Sequence, residues 1–484
     1  MWRFSTIKPG VSRKLSKSSG VHRHSNQATG KPRKAYEKSP RRQNDQHDSV
    51  LSTRSAMKPD LSNSTSMKAA TFHSWWIAIL LLISMTVNFM DRLVLGSVAP
   101  TLQSALHFSS TQYSYIVFAF SLGMTLGQIP AGTLIDRIGF RLSLPALCTG
   151  WSLANAFQAF ARTVGSFSGL RFAMGMFECG NYPAGVKAVG ELFPADQSAF
   201  ALGIFNTGSI LGSVIAPPIV VFITVHYGWR AAFFLPSVIG LIWVLPWLQA
   251  CRPAMRRRVE PVPQDQTVSL SNLLRPRQVW GVVLMRSFSG PLTAFYWFWL
   301  PLYLVRGRGV TLASMAGLAS LAYFVGGVGQ AGGGYFSGWL IRHGYSVDAS
   351  RKLTFAIGGL IAAVCTCLVP ALNSVRTADL LAGLGILGAN ILSNIEIAVI
   401  TDVFPHSVQA RVTGLTGVGE GLVNMGMSLT TGLVVSHFSF LPVFLAAGAL
   451  PVGALLGLFF LVRNCRKMSP MEFRKETIQQ VRCV

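Results

Sequence analysis

Seven charged side chains lie inside runs of sequence that are otherwise strongly apolar. They are Asp91, Arg92, Arg171, Glu178, Arg286, Glu396 and Glu420. A charge at the centre of a membrane-spanning helix costs about 2.5–3.5 kcal/mol on insertion scales, so each residue needs a reason to be there. A substrate or ion pathway is one reason, and a structural ion pair between packed helices is another. The second interpretation carries more weight for Arg286, Glu396 and Glu420 than for the other four.

Helix geometry separates the tasks of the first four charged residues. Adjacent residues on a helix point about 100° apart, so Asp91 and Arg92 cannot face each other and each needs a partner elsewhere. Arg171 and Glu178 are two turns apart, which puts them on one face with about 10 Å between their backbones. That distance is too long for an intrahelical ion pair. It suits the charged end of a small molecule near Arg171 and a titratable carboxylate at Glu178.

These residue types indicate an organic anion that moves together with a proton. Arginine stays protonated and presents a planar fork of donors that matches a carboxylate. A buried Asp or Glu can gain or lose a proton near neutral pH, because burial disfavours its charged form. Buried arginines facing a cavity therefore predict an anionic substrate, and the neighbouring carboxylates predict coupling to proton movement.

Membrane-spanning helices are the elements predicted to position these charges. Half of the 484 residues are hydrophobic and only 12% are charged, which is too apolar for a soluble protein of this size. About twelve runs reach the ~20 residues needed to cross a ~30 Å hydrocarbon core. The approximate spans are 74–98, 112–135, 142–161, 166–190, 198–225, 229–249, 279–304, 312–340, 353–372, 378–400, 412–436 and 441–462.

The net charge of +24 is distributed as in a membrane protein, and we expect no nucleic-acid partner. Residues 1–70 carry fifteen Lys and Arg against four Asp and Glu, with no periodic apolar pattern, which predicts a disordered basic tail. Most other basic residues fall in alternate loops. By the positive-inside rule this puts both termini in the cytoplasm, which requires an even number of spans.

A polar, basic segment at 250–277 divides the spans six and six. An internal repeat supports the division, because ELFPADQSAFALG at 191–203 and DVFPHSVQARVTG at 402–414 share Phe-Pro and a glycine nine residues after the proline. The predicted organisation is a cytoplasmic tail at 1–70, a six-helix bundle at 71–249, a cytoplasmic linker at 250–277, a second six-helix bundle at 278–464 and a cytoplasmic tail at 465–484.

The loop between the second and third spans, AGTLIDRIGFR, carries a glycine and charge motif. Its residues are Gly132, Asp136, Arg137, Gly139 and Arg141. Glycines permit a tight turn, and the charges can pair with each other or with facing helix ends. The motif resembles the loop signature of the major facilitator superfamily, Gly-x-x-x-Asp-Arg-x-Gly-x-Arg, at every position. The corresponding loop of the second half, at 338–352, is degenerate.

The charged spans resemble bacterial hexuronate and sugar-acid transporters of the anion:cation symporter family within that superfamily. The resemblance rests on RFAMGMFECGNYPAG, on the Asp91-Arg92 pair, on TQYSYIVFAFSLGMTLGQIPAG and on FNTGSILGSVIAPPIV. It implies an all-α integral membrane protein of the bacterial inner membrane, with twelve transmembrane helices in two six-helix bundles. It further implies proton symport, with Arg92 and Arg171 contacting the substrate while Asp91 and Glu178 carry the proton.

Two positions depart from the sugar-acid pattern. Transporters of this kind usually place a tyrosine two residues before the first-span Asp and another in the middle of the second span, whereas this chain has Phe89 and Met124. A less hydroxylated or aromatic carboxylate, such as a phthalate-like acid, is therefore an alternative to a hexuronate. Gln128 and Asn206 are further substrate-binding candidates, and Asn181, Tyr182, Tyr296 and Trp297 are additional lining candidates.

Other functional classes lack support in the sequence. There is no phosphate-cradling Gly-rich loop, no HExxH and no Ser/His/Asp set at a fitting spacing, so we expect no enzyme. The seven cysteines form no CxxC pair, and we expect neither metal nor cofactor. The expected protein is a monomer in the lipid bilayer whose partners are a small organic anion and a proton. A membrane sensor that binds such an anion without transporting it is the alternative from another class.

Overall fold

A computed structural model describes residues 72–251 and 270–468. Within these two stretches the chain is almost entirely helical and contains no β-strand. The predicted tail at 1–70, most of the linker predicted at 250–277 and most of the tail predicted at 465–484 lie outside the described residues. The predicted all-α fold class is therefore confirmed for the part of the chain that carries the apolar spans.

The first half contains six helices. They are α1 (Phe72–Leu106), α2 (Ser110–Phe157), α3 (Val164–Glu178), α4 (Asn181–Leu192), α5 (Ala195–Tyr227) and α6 (Trp229–Cys251). Capping boxes start two of these helices. The Ser109 hydroxyl accepts from the backbone N–H of Gln112 at 3.1 Å, and the Gln112 side chain accepts from the backbone N–H of Ser109 at 2.9 Å. Thr163 and Ser166 repeat the arrangement before α3.

The second half begins with a single short turn and continues with long helices. They are α7 (Leu270–Leu273), α8 (Arg277–Leu302), α9 (Leu312–Arg342), α10 (Val347–Leu368), α11 (Val375–Val403), α12 (His406–His437) and α13 (Leu441–Leu456). Segments of π-helix, Tyr303–Gly307 and Gly457–Val462, extend α8 and α13. The helix bounds agree closely with the apolar runs, which are the strongest periodic signal in the sequence.

Eight stretches of the described chain are long and apolar enough to cross a membrane by length and composition. One of them, Ser110–Phe160, covers two predicted spans. Gly139 lies inside it with φ 73° and ψ 164°, a backbone conformation that side chains larger than hydrogen strongly disfavour, so the chain turns sharply there. The turn falls between the predicted second and third spans. Twelve spans remain a prediction, whereas the multi-pass helical architecture is established.

The predicted fourth span, 166–190, is interrupted rather than continuous. Helix α3 ends at Glu178 and α4 begins at Asn181, with Cys179 and Gly180 between them. Pro183 explains part of the break, because a proline has no N–H to give to the carbonyl four residues earlier. Glu178 consequently occupies the last position of a helix, next to a segment whose backbone hydrogen bonding is incomplete.

Glycines bring the helices of the first half into close contact. A Cβ on Gly175 of α3 would meet the backbone carbonyl of Phe120 on α2, and a Cβ on Gly123 would meet the carbonyl of Phe172. Small residues let the backbones of membrane helices approach in this way. The contact fixes α3, which carries two of the predicted site residues, against α2.

Among the described residues the halves meet mainly where α1 packs against α8, α2 against α12, and α5 against α9. Near the junction of α1 and α2, the Tyr113 hydroxyl donates to the carbonyl of Phe298 at 3.0 Å, and the hydroxyls of Thr111 and Ser436 lie 2.9 Å apart. Ser320 of α9 donates to the carbonyl of Val214 at 2.8 Å. The halves therefore meet through polar contacts as well as apolar packing.

Replacing Gly175 with alanine should destabilise the protein, because the added methyl group would press against the carbonyl of Phe120. We expect a loss of about 1–3 kcal/mol, the usual range for overpacking. Gly169→Ala in the same helix is the matched control, since Gly169 is exposed and a Cβ there meets nothing within 4 Å. Thermal unfolding of the purified variants in detergent measures the difference. Equal melting temperatures would contradict the close packing of α2 and α3.

Candidate functional site

Arg92 and Glu178 form an ion pair that joins α1 to the end of α3. The Nε atom of Arg92 lies 3.2 Å from Oε1 of Glu178. The Glu178 side chain is fully buried, and the Arg92 side chain is 12% exposed. A buried charge without a partner costs several kcal/mol, so each residue stabilises the other in this environment.

Three aromatic rings, those of Phe89, Phe120 and Trp297, form an aromatic cage around the Arg92 guanidinium. The Cζ atom of Arg92 lies 4.8 Å, 5.6 Å and 5.5 Å from their respective centroids. Phe89 and Trp297 meet edge to face with their centroids 5.4 Å apart. Each cation–π contact is worth about 0.5–2 kcal/mol. Because Trp297 lies on α8, the cage contains residues of both halves.

Asp91 is directed to a partner other than that of Arg92. The Nδ2 atom of Asn155, near the end of α2, donates to Oδ1 of Asp91 at 2.6 Å and to the hydroxyl of Ser237 at 3.1 Å. Asp91 is completely buried. The hydrogen bonds connect α1, α2 and α6 at one point. The prediction that the two adjacent charges have separate partners is confirmed.

Arg171 is fully buried and is held by neutral groups. Its Nε donates to Oε1 of Gln158 at 2.7 Å, and its Nη1 lies 3.5 Å from the sulfur of Met174. The guanidinium carbon lies 5.9 Å from the centroid of Phe120, so this ring contacts both arginines. Among the described residues Arg171 makes no ion pair with Glu178. The prediction that two helical turns are too long for an intrahelical pair is therefore confirmed.

Seven buried polar atoms on α1 and α3 make no hydrogen bond to any described residue, and four of them belong to the charged residues or to Asn88, which lies three residues before Asp91. These four are Nδ2 of Asn88, Oδ2 of Asp91, Nη2 of Arg171 and Oε2 of Glu178, and the other three are Oγ of Ser97 and both amide atoms of Gln103. More than about 90% of buried polar groups in proteins have a hydrogen-bond partner, so this concentration of exceptions calls for a ligand. The four comprise two donors and two acceptors. A molecule that carries both a carboxylate and hydroxyl groups matches that combination.

The remaining substrate-binding candidates on α1 and α2 lie at different helix contacts. Phe89 belongs to the aromatic cage. Met124 is half-buried, with its backbone N close to Gly175 of α3. Gln128 lies one turn further along α2, where its amide is next to Gly417 of α12. Gln128 is therefore at the contact between the halves, and Met124 is at the contact between α2 and α3.

The additional lining candidates separate into packing residues and accessible ones. Asn181 is buried and accepts a hydrogen bond from the Ser84 hydroxyl at 2.8 Å, so it fixes α4 to α1. Tyr296 is buried and its hydroxyl lies 2.9 Å from that of Thr366, inside the second half. Its neighbour Trp297 points the other way, into the aromatic cage.

Tyr182 and Asn206 form a polar pair further along the first half. Tyr182 is 44% exposed, and its hydroxyl is within hydrogen-bonding reach of Asn206 on α5. Tyr182 also lies within electrostatic reach of Arg286 on α8. Tyr182 follows Glu178 by four residues, across the break between α3 and α4.

The loop motif between the two segments of α2 pairs with α4. The Lys187 ammonium donates to Asp136 at 3.0 Å, and Arg141 donates to Glu191 at 3.4 Å. Gly139 supplies the sharp turn between the two pairs. The remaining motif residues are the half-buried Gly132 and the exposed Arg137. Asp136 and Arg141 of the motif thus pair with side chains of α4.

A second charged cluster lies in the second half. The Nε atom of Arg286 on α8 is 2.7 Å from Oε2 of Glu420 on α12, and its Nη1 is 3.5 Å from Oε2 of Glu396 on α11. The three residues that were predicted as possible structural ion pairs are therefore one cluster, in which two carboxylates share one arginine.

Comparison with known proteins gives this arrangement a context. The family model of the Major Facilitator Superfamily matches residues 81–368, which is more than half of the chain. The chain belongs to the Major Facilitator Superfamily. Members of this superfamily are transporters rather than enzymes, so the charged residues described above belong to a transport protein.

Two curated members of the superfamily are similar over most of their length. The hexuronate transporter of Escherichia coli (strain K12) is 28% identical over 423 residues, covering 83% of this chain and 96% of that protein. The galacturonate transporter of Dickeya chrysanthemi is 31% identical over 305 residues, covering 59% of this chain and 88% of that protein. These relatives come from bacteria. This superfamily member is a multi-pass membrane protein.

A solved structure of the superfamily fold is also similar. A bacterial homologue of the human lysosomal transporter Spinster, crystallised in an inward-facing and occupied conformation, superposes with a TM-score of 0.62. It is 18% identical, and the match covers 82% of this chain and 96% of the other. At that identity the comparison establishes the shared fold.

Several partners of the charged residues were not predicted from the sequence of this superfamily member. They are Asn155, Gln158, Phe120, Lys187 and Glu191. Asn155 and Gln158 are neutral polar residues inside the apolar run WSLANAFQAF, a signal that could have identified them as partners for buried charges. The other three carry no such signal, because Phe120 meets its arginines only where α2 packs against α1 and α3, and Lys187 and Glu191 meet their partners only where α4 packs against α2.

Removing the Glu178 carboxylate should destabilise this superfamily member more than removing the whole ion pair. Glu178→Leu leaves Arg92 charged and partly buried, and we expect a loss of about 3 kcal/mol. The double variant Arg92→Met with Glu178→Leu removes both charges and should recover most of that loss. Unfolding in detergent, followed by tryptophan fluorescence, measures both. A double variant no more stable than the single one would contradict the assignment.

Proposed function

We propose that the chain is a secondary transporter that moves a sugar acid, such as a hexuronate, together with a proton. Arg92 and Arg171 bind the substrate carboxylate, and Glu178 and Asp91 carry the proton. The observation that carries the proposal is the ion pair between Arg92 and Glu178, at 3.2 Å inside a buried site. The names of the similar proteins, hexuronate, galacturonate, L-galactonate and D-galactonate transporters, support the substrate class.

Competition for Arg92 provides the coupling. While Glu178 is ionised it accepts a hydrogen bond from Arg92, and an anion that approaches meets a guanidinium that is already paired. Protonation of Glu178 removes this negative charge, and the substrate carboxylate can take its place on Arg92. Release of the proton restores the internal pair and expels the anion. Proton and anion therefore bind together and leave together.

Arg171 and Asp91 complete the site on either side of this pair. Gln158 fixes the Arg171 guanidinium by its Nε, which leaves Nη2 as an unused buried donor for a substrate oxygen. Asn155 donates to one oxygen of Asp91, and the other oxygen is the position at which a proton would be bound. The hydroxyl groups of a sugar acid would satisfy the remaining donor, Nδ2 of Asn88, and the remaining acceptor, Oε2 of Glu178.

The aromatic cage favours a second candidate substrate. Phe89, Phe120 and Trp297 present rings, and no hydroxyl, to the neighbourhood of Arg92. An aromatic or sparsely hydroxylated carboxylate would pack on these rings while its charge contacts the arginine. The four unpaired buried polar atoms favour the sugar acid instead, so we rank the aromatic acid second.

The proposed arrangement in the cell follows from charge and topology. Basic residues concentrate in alternate loops, which supports cytoplasmic termini by the positive-inside rule. The pairs Asp136 with Lys187 and Arg141 with Glu191 would then lie on the cytoplasmic side, where they fix the loop motif to α4. The transporter would work as a monomer in a bacterial membrane.

Uptake of labelled galacturonate into proteoliposomes should rise when the outside is made acid. In Glu178→Gln this response should disappear, because the amide cannot release a proton, while exchange of labelled for unlabelled substrate should persist. Asp196→Asn, at an exposed carboxylate in the first turn of α5, is the matched control and should respond like the wild type. An unaltered gradient response in Glu178→Gln would remove Glu178 from the coupling mechanism.

A thermal-shift screen should separate the two substrate classes. We expect a hexuronate to stabilise the wild type, by about 2.7 kcal/mol at a concentration 100 times its dissociation constant. Arg171→Lys should reduce that shift, since the planar donor fork is lost. Phe89→Tyr should increase it by adding a hydroxyl near the site, and Phe157→Tyr, at an exposed ring of α2, should not. A larger shift with phthalate than with any hexuronate would favour the second candidate.

A further inference from the structure

The cluster of Arg286, Glu396 and Glu420 contains more negative than positive charge. One guanidinium on α8 serves two carboxylates, at 2.7 Å from Glu420 and 3.5 Å from Glu396. With all three side chains ionised the cluster carries a net charge of −1. An unbalanced charge inside a membrane protein is costly, and binding one proton would neutralise it.

The two carboxylates differ in how well they are satisfied. Glu420 has the shorter contact, a hydrogen bond from Nε of Arg286, and its side chain is 24% exposed. Glu396 has a side chain that is only 2% exposed, and the contact of its Oε2 with Nη1 of Arg286, at 3.5 Å, is long for a hydrogen bond between charged groups. The shorter contact with Arg286 therefore stabilises the charge of Glu420, whereas the charge of Glu396 is less well compensated. A proton taken up by the cluster belongs on Glu396.

The neighbouring helices do not supply a competing charge at Glu396. Arg286 from α8 and Glu420 from α12 are the charged groups of the described chain whose fields act on it. Helix α10 carries Arg351, but that residue is paired at 2.9 Å with Asp402, six residues further along α11. Helix α9 meets this part of α11 through glycines, Gly333 at Ile391 and Gly334 at Asn394.

The position of the cluster connects it to the proposed substrate site. Arg286 precedes Trp297 of the aromatic cage by eleven residues, or about 16 Å along α8. Tyr182 is exposed and within electrostatic reach of Arg286. The Arg286 side chain is itself 28% exposed.

We propose that Glu396 is a second proton-binding site, located in the second half and distinct from Asp91 and Glu178. Its carboxylate takes up one proton and becomes a carboxylic acid, which changes the net charge of the cluster from −1 to zero. Arg286 then pairs with Glu420 alone. Loss of the proton restores the shared arrangement. The link of this site to transport rests on the proposed function, but the proton binding does not.

Infrared difference spectroscopy of the purified full-length protein tests the site without any substrate. A protonated carboxylic acid has a C=O stretching band that an ionised carboxylate lacks. On acidification from alkaline to mildly acid pH, the wild type should gain one more acid band than Glu396→Gln. Identical pH-difference spectra for the two proteins would overturn the proposal.

Glu420→Gln is the matched control at the other carboxylate. It should retain the Glu396 band, but the band should be smaller at a given pH, because Arg286 then pairs with Glu396 alone and holds it in the charged form. Loss of the same band in Glu420→Gln, with its persistence in Glu396→Gln, would assign the proton to Glu420 and overturn the proposal. In Glu420→Gln the arginine Arg286 remains paired with Glu396. This variant can therefore be measured even if Glu396→Gln does not fold.

Uptake measurements separate this proposal from the proposed function. If wild-type proteoliposomes take up no sugar acid while the Glu396 band titrates, the substrate assignment is wrong and the proton site stands. If uptake is driven by a proton gradient and the spectra of wild type and Glu396→Gln coincide, the proton site is wrong and the transport function stands. The two failures therefore give different results.

Discussion

The need to compensate charges buried between helices governs the first half of this protein. Arg92 on α1 reaches Glu178 at the end of α3, and its neighbour Asp91 turns to Asn155 near the end of α2. These two directions follow from the 100° step between adjacent helical residues. These contacts hold α1 between α2 and α3. Helix packing, the close glycine contacts and the interruption after Glu178 place these helices where their buried charges find partners.

The two halves differ in the net charge of the charged side chains that they bury. In the first half the charged set of Asp91, Arg92, Arg171 and Glu178 is neutral overall. The side-chain amides of Asn155 and Gln158 hold Asp91 and Arg171, respectively. In the second half two carboxylates share one arginine. A neutral set fits the proposed exchange of an internal pair for a substrate anion plus a proton, whereas the set in the second half fits the proposed uptake of a proton alone. The two halves, which the sequence repeat predicts to be duplicates, therefore differ in the charges that they bury.

Much of the fold was predictable from the sequence, because apolar runs of membrane length have few alternatives. The separate partners of Asp91 and Arg92 followed from helix geometry, as did the absence of a pair between Arg171 and Glu178. The identities of the partners did not follow. Asn155 and Gln158 become partners only when the last part of α2 packs beside α1 and α3, and charge alone did not single them out. The break at Cys179 and Gly180 was missed because the apolar pattern continues across it.

Trp297 links the surroundings of Arg92 to the relative orientation of the two halves. It lies on α8, while the guanidinium that it contacts lies on α1, so a change in the angle between the halves changes the surroundings of Arg92. Thermodynamic reciprocity then applies in both directions: if the angle alters the affinity of Arg92 for an anion, the bound anion must alter the equilibrium of the angle by the same factor. Under the proposed function, a single indole ring would make the occupancy of the anion site and the orientation of the halves mutually dependent.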